Sequence, residues 1–335
     1  MSPFISVVIP NYNGRATIAS CLEAALASRY DRFEVIVVDD GSTDDSVSII
    51  ERFPCRLVRL GRNRGPAAAR NEGARQSRGD LLFFTDADCL LKRDTLAAAA
   101  RSAAAAGPDF IVGGTYTRRP PQDGFYSLFQ SIFINYSETK RGGRPDYVAT
   151  HAMAVHAGTF RKNGGFAENF LPIIEDVDYS HRMRRAGYGL LMDPAIQVRH
   201  IFNFSLRRSL ANAVRKSMYW TMYSIGNGDL LEDSGTASVE LKANVAAFAV
   251  SAGLVLVAVM SENPVVLTAL PAVFLANLIV SRGLLSAFYR SQGTRFVIAA
   301  TLYYTILYPL AVGMGSLLGA VRYFGGGRQA LRETD

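Results

Sequence analysis

A chain of 335 residues can bury a sizeable core and has room for one large domain, or one domain with an appendage. Its formal net charge of +7 is not gathered into a compact lysine or arginine block, which disfavours nucleic acid and leaves an acidic membrane surface or an anionic substrate. Three isolated cysteines, Cys21, Cys55 and Cys89, form no C-x-x-C, so a disulfide framework and a zinc knuckle are set aside and a reducing, cytosolic setting is the default.

The amino terminus, MSPFISVVIP, has no basic segment and too short an apolar run for a signal peptide, so the first domain is expected in the cytoplasm. Residues 4–10 and 33–40 read as β-branched strands. Between them, residues 15–28 place Ile18, Cys21, Leu22, Ala25 and Leu26 at helical spacing. The alternation continues through helix SVSIIERF, strand CRLVRL, helix GPAAARNEGARQS and strand DLLFFTDAD. Such a series predicts βαβ units in a mainly parallel, doubly wound α/β sheet with helices on both faces. TLAAAARSAAAAG is a helix stopped by Gly107 before Pro108, FIVGGTYTRR a further strand, and residues 125–136 an aromatic-rich helix read as core.

From residue 242 the composition changes. Residues 243–261, 263–281 and 296–321 hold no charge, and each approaches or exceeds the ~20 residues that cross a bilayer as a helix. A buried core helix is the alternative for either shorter stretch, and Pro264 and Pro271 complicate the middle one. Three in a row favour about three transmembrane helices over 242–322, then a polar tail, 323–335. The chain would leave the cytoplasm at Lys242 and return at Arg282, with Arg290 and Arg295 inside, as the positive-inside bias asks. A third span would put Arg322, Arg328 and Arg332 outside against that bias, so the last segment is expected to be re-entrant or its tail tolerated. The expected setting is multi-pass in the inner (plasma) membrane. Residues 202–223, within a linker at 201–241, interleave aromatics with Arg207, Arg208, Arg215 and Lys216 and carry the sole tryptophan, Trp220. An interfacial amphipathic helix on anionic headgroups fits this pattern, as does a linker helix packed on the domain.

Ligands bind at the loops that leave the carboxyl ends of parallel strands. Three such loops are unusually polar: PNYNG with Asn11, Tyr12 and Asn13; DDGSTDDS with Asp39, Asp40, Gly41 and Ser42; and TDAD with Asp86 and Asp88. Neighbouring carboxylates repel unless a cation or hydrogen-bond donors sit between them. A dinucleotide site would need G-x-G-x-x-G after the first strand, where only Gly14 stands, and a dehydrogenase is disfavoured accordingly.

In chain order, SVVIPNYNG, FEVIVVDDGSTDDS, NRGPAAARNEG, GDLLFFTDAD and IIEDVDYSHRMRRAGYG resemble an inverting family 2 glycosyltransferase with the GT-A nucleotide-sugar fold. The resemblance covers about the first 200 residues and implies that 1–200 form a cytosolic catalytic domain. It implies that Pro10, Tyr12 and Asp40 hold the nucleoside, that Asp86 lies near the ribose, and that Asp88 binds a divalent cation, Mg²⁺ or Mn²⁺. A hard cation with oxygen ligands would neutralise the departing diphosphate. Asp176, in the E-D element, would be the base that takes the proton of an acceptor hydroxyl. The same acidic residues also suit a helix start, with basic residues in the next turns.

His200 falls where some relatives complete the metal site, a backbone-bonded histidine being the alternative, and Arg70 and Asn71 are secondary candidates. His151, His156 and His181 have no metal-like spacing. The Q-x-x-R-W element of processive relatives is missing, since QVRH stands there, and single-sugar transfer is favoured. The expected partners are a nucleotide-sugar donor of uridine type and a lipid-linked or cell-envelope glycan acceptor. The alternatives are transfer to a polyprenyl phosphate, or a non-catalytic nucleotide-sugar-binding membrane protein. A transporter is disfavoured by the uncharged spans.

Overall fold

The computed structural model describes residues 2–168 and 171–327, so Arg328, Arg332 and most of the expected polar tail lie outside the described residues. The chain divides into two units, each described by itself. The first runs to Asp123 and resumes over Glu138–Asn203; the second comprises Gly124–Ser137 and the chain from Phe204 onward.

The first unit is built on one eight-stranded sheet. In chain order its strands are β1 (Ile5–Asn11), β2 (Phe33–Asp39), β3 (Arg56–Arg59), β4 (Leu81–Phe84), β5 (Cys89–Leu91), β6 (Phe110–Tyr116), β7 (Met153–His156) and β8 (Gly189–His200). Across the sheet they lie in the order β3-β2-β1-β4-β7-β6-β8-β5. The β3-β2-β1-β4 half is parallel throughout. In the other half β7 runs antiparallel to β4 and β6, β6 and β8 are parallel, and β5 is antiparallel to β8. The sheet is therefore mixed, with its parallel portion where the βαβ alternation predicts it.

The helices of this unit are α1 (Ile18–Leu26), α2 (Ser46–Ile50), α3 (Pro66–Gln76), α4 (Thr95–Ala106), the end of α5 (Phe125–Thr139), α6 (Ala157–Lys162) and α7 (Glu175–Arg185). Central strands of a parallel sheet are covered on both faces and so read as continuous apolar runs. Ile5, Val7, Val8 and Ile9 of β1 and all four residues of β4 are accordingly fully buried. Phe84 packs in an aromatic cluster with Phe160 and Phe166, which also meet Tyr179 of α7, at ring-centroid distances of 5.1–5.3 Å.

The second unit is helical: most of α5, then α8 (Leu206–Asn227), α9 (Val239–Met260), α10 (Leu270–Val280), α11 (Arg282–Leu302) and α12 (Tyr308–Arg322). Among the described residues, two helical stretches are long and apolar enough to cross a bilayer, Val239–Met260 and Arg282–Gly326, with mean hydropathies of 2.2 and 1.6. The middle apolar stretch is shorter: Asn263 caps a 3₁₀ turn, Pro264–Ala269, and only Leu270–Val280 is α-helical.

α8 and α12 pack backbone to backbone. A Cβ on Gly315 or Gly319 would come within 2.4 Å of the Val214 or Met218 carbonyl oxygen, the close approach that small-x-x-x-small spacing allows. The exposed side of α8 carries Arg207, Arg208, Arg215 and Lys216.

A π-helical turn, Tyr303–Leu307, precedes Pro309. In that register the Tyr304 carbonyl would face the proline nitrogen, which has no hydrogen to give. Buried Asn244 donates to it instead, at 2.6 Å, and accepts from Asn277 at 2.8 Å. Polar pins of this kind join α9, α10 and the π turn inside an otherwise apolar bundle.

Candidate active site

The register of the parallel half brings three loops to one edge. Asn11 stands opposite Asp39, and Val8 opposite Phe84, so PNYNG, DDGS and TDAD leave the sheet side by side. Buried Asn11 knits the first two: its Nδ2 donates to Asp39 Oδ1 at 2.9 Å, Ser46 Oγ at 3.1 Å and Ser42 Oγ at 3.2 Å. Asp39 also accepts from the Ser42 amide at 3.1 Å and the Ser42 hydroxyl at 2.5 Å, while Asn13 Oδ1 accepts from the Thr43 amide at 2.8 Å. Gly41 turns the chain with φ of 76°, and a side chain there would strike the Arg62 and Asn63 backbone.

Asp40 accepts from the Arg64 and Gly65 amides, both at 2.8 Å. Burial raises its carboxyl above the ordinary value, and those two amides only partly offset the rise. Arg62, Asn63, Arg64 and Glu168 line an open cavity of about 420 Å³ next to this loop. Pro10, at the end of β1, is half-buried, and Tyr12 beyond it is 51% exposed, leaving an aromatic face at the rim.

The acidic side chains form two groups, Asp86 and Glu175 joined through Arg70 and Asp88 paired with His200, while Asp176 stands next to Glu175 on α7. Buried Arg70 of α3 donates from one guanidinium nitrogen to Asp86 Oδ1 at 2.5 Å and from the other to Glu175 Oε1. The fork thereby ties the TDAD loop to the first turn of α7. Burial raises the Asp86 carboxyl, but Arg70 and then His151 more than offset it and hold it below the usual carboxylate range. Glu175 is pushed the other way, up to about 7, because burial outweighs the attraction of Arg70.

The α7 start is itself strained: Ile174 sits at φ 85°, an unusual conformation for a β-branched residue, and its buried side chain fixes it there. This turn presents Glu175 and Asp176 from the rigid end of a helix whose first turn is acidic and whose last turn is basic. Asp176 Oδ2 accepts from the Thr150 amide at 3.1 Å and Oδ1 from the Val177 amide at 2.9 Å. Each oxygen retains a second lone pair, which can accept a proton.

Asp88 and His200 come together because β5 pairs antiparallel with β8, placing Cys89 opposite His200. Asp88 Oδ2 lies 3.4 Å from His200 Nε2, and donor atoms of Asp88, Cys89 and His200 all fall within 4.8 Å of one another. Cys89 is fully buried, and burial followed by the charges of Asp88 and Asp86 drives its thiol well up. The usable donor set is thus a carboxylate oxygen and an imidazole nitrogen, which fits a divalent cation of Mn²⁺ type better than one demanding oxygen alone. The His200 ring is oriented by stacking on Phe202, centroids 4.1 Å apart, and by an edge contact with Tyr116.

The other candidates separate by location. Asn71 bonds the Phe166 backbone through both ends of its amide, donating at 2.8 Å and accepting at 2.9 Å, and so holds a loop. His181 Nε2 lies 3.0 Å from Asp146 Oδ2. His156 ends β7 and precedes α6. His151, by contrast, is buried beside the site, 3.5 Å from Glu138 Oε2 and stacked on Tyr116 at 4.0 Å. No local spacing marks His151, Glu138 or Tyr116 in the sequence, since they come from three separate segments.

The sequence pattern of Glycosyl transferase family 2 matches residues 6–163. The chain is 31% identical over 195 residues to glycosyltransferase AglE of Haloferax volcanii, covering 56% of this chain and 64% of that one. It is 35% identical over 149 residues to the undecaprenyl-phosphate 4-deoxy-4-formamido-L-arabinose transferase of Pseudomonas savastanoi pv. phaseolicola, covering 42% and 43%. The chain thus spans less than two thirds of the length of these curated relatives.

Among solved structures, the mannosyltransferase PcManGT from Pyrobaculum calidifontis, in complex with GDP-Man and Mn²⁺, aligns over 100% of this chain and 89% of its own. The TM-score is 0.59 at 19% identity, a likeness of fold. The ordered motifs, the strand-end loops and these matches agree: the chain carries a glycosyl transferase family 2 domain in a GT-A fold, followed by a helical region with candidate membrane spans.

Proposed function

We propose that this protein transfers a single sugar from a nucleotide-diphosphate sugar to a hydroxyl of a lipid-linked or cell-envelope glycan acceptor, with inversion. The observation that carries this reading is Asp176 on the first turn of α7, in the unit that also holds Asp86 and Asp88 and tied to the same cluster through Glu175 and Arg70. In the proposed reaction Pro10, Tyr12 and Asp40 hold the nucleoside, with the Tyr12 ring against the base, and Asp86 faces the ribose. Asp176 accepts the proton of the acceptor hydroxyl as its oxygen attacks the anomeric carbon opposite the leaving nucleotide. Asp88 and His200 would hold a divalent cation, whose chemistry there is to neutralise charge on the departing diphosphate. A uridine-type donor is the first to test, and the mannosyl donor named for the Pyrobaculum neighbour the second.

The apolar helices support seating in the inner membrane with the first unit cytoplasmic, and exposed Val255, Leu256, Val259 and Met260 on α9 suit contact with lipid. One relative, named as an undecaprenyl-phosphate sugar transferase, favours a second reading in which the acceptor is a polyprenyl phosphate. A phosphate oxygen is already ionised and needs no base, so the two readings differ in their demand on Asp176.

The test is release of nucleoside diphosphate by the purified full chain from a panel of nucleotide sugars with Mn²⁺, with and without lipid acceptors. Asp88→Ala should abolish cation-dependent turnover. Asp176→Asn should lower transfer to a hydroxyl by about 10²–10⁴-fold. Full activity in both folded variants overturns the assignment, and loss in Asp88→Ala alone selects the phosphate acceptor.

A further inference from the structure

Behind the Thr150–Asp176 contact lies a buried cluster that the proposed reaction does not use. Thr150–Ala152 form a short 3₁₀ turn, and the Thr150 amide that holds Asp176 belongs to the residue before His151. The His151 carbonyl is fixed in turn, accepting from the buried Thr85 hydroxyl at 2.9 Å. Its ring lies flat on Tyr116 of β6, tilted by 27°, and its Nε2 lies 3.5 Å from Glu138 Oε2, within ion-pair distance but without a hydrogen bond. Glu138, near the end of α5, is buried and accepts from the Thr115 hydroxyl at 2.7 Å.

A buried carboxylate that accepts from a neutral hydroxyl is costly to keep charged, and a positive imidazole alongside relieves that cost. The groups that bear on the imidazole are Glu138 from α5, Asp86 from the β4–β5 loop and Asp176 from α7, all acidic, with the Tyr116 ring against its face. Burial alone would favour the neutral ring, yet these three carboxylates, Glu138 foremost, raise His151 above its ordinary value.

We propose that His151 and Glu138 form a buried charged pair that positions Asp176: the imidazolium sets the charge behind the carboxylate, and its anchored turn aims the Thr150 amide at it. The pair rests on the reading of Asp176 as the base. It touches no reacting atom, and its part is to hold that carboxylate in one orientation. Arg70 balances the Asp86 and Glu175 side of the cluster, so two buried cations stand among the carboxylates, one on each side.

The first test is the charge of the ring, read from ¹⁵N-histidine spectra of the full chain in lipid nanodiscs. The chain has four histidines, and His151→Gln assigns the signal. We expect a mainly doubly protonated imidazole at pH 6.5 in the native protein and a mainly neutral one in Glu138→Gln, a variant that keeps the side-chain shape. A neutral ring in the native protein overturns the proposal.

The second test is kinetic. Both variants should lower kcat about tenfold or more with little change in donor KM, and should move the acid limb of the pH–rate profile to higher pH. A role in packing alone would lower the rate without moving the limb, and an unmoved limb in Glu138→Gln likewise overturns the proposal. A native chain that releases no nucleotide from any donor refutes the transferase reading and with it the positioning role. The nitrogen spectra then still report whether the charged pair exists.

Discussion

The two halves of the sheet do different work. The β3-β2-β1-β4 half is parallel, apolar through its central strands β1 and β4, and ends in loops whose polar side chains are bonded within the loops: Asn11 to Asp39, Asn13 to the Thr43 amide, Asp40 to the Arg64 and Gly65 amides. The β7-β6-β8-β5 half mixes directions, and around it collect several buried groups with raised titration, Glu175, His151, Tyr116 and Cys89. One half is a preformed cradle and the other a charged, desolvated wall.

Arg70 is the tie between the halves, and removing it is the strongest way to break the contrast. Arg70→Met leaves Asp86 and Glu175 without their shared cation. Loss of one partner from a buried pair costs about 3–5 kcal/mol, so the unfolding midpoint should fall steeply in urea titrations of the full chain. A midpoint unchanged from the native protein would show that the two halves are held independently.

A smaller effect is expected within the cradle alone. Asn11→Ala removes a donor to Asp39, Ser42 and Ser46, an effect of about 1–3 kcal/mol, and should weaken nucleotide binding while the pH dependence of stability keeps its form. Calorimetric binding of nucleoside diphosphate checks this, and a native affinity would remove Asn11 from the support of the site.

A pH-dependent effect sharpens the wall. Glu175 has its pKa raised from 4.5 to about 7 in the folded chain, so the folded state binds the extra proton. Its contribution is fully present below about 4.5 and is lost as pH rises towards 7, at no more than about 1.4 kcal/mol per pH unit. Asp86 acts oppositely, its contribution being lost as pH falls below 3.8, and His151 adds to the loss only above 6.5. Between these limits Glu175→Gln should flatten the curve of unfolding free energy against pH, and a slope equal to the native one would contradict the raised value.

Sequence patterns were readable in proportion to how local their causes are. LLFF before TDAD reads as a buried strand because both faces of a central parallel strand are covered, and β4 is buried throughout. The alanine-rich run became α4, Thr95–Ala106, where strong helix propensity agrees with a buried face of Leu96, Ala99, Ala100 and Ala103. β5 and β7 escaped notice because three and four residues show no periodicity, and their directions depend on long-range pairing. The middle apolar stretch met the composition of a span, yet Asn263 and Pro264 open it as a 3₁₀ turn and shorten its helix. Glu138 and His151 carry no motif, and α5 and the 3₁₀ turn bring them together only once the sheet has formed.

By itself the sequence determined the βαβ order, the polar loops at the strand ends, the acidic start of α7 and the apolar character of the carboxyl-terminal third. Each of these follows from backbone propensity or side-chain period over a few neighbouring residues. Tertiary structure decided that Arg70 bridges two carboxylates, that Cys89 stays a buried thiol beside a carboxylate–imidazole pair, and that His151 sits against Glu138. Those outcomes depend on which charges share a desolvated space, and strand pairing between distant segments creates that space.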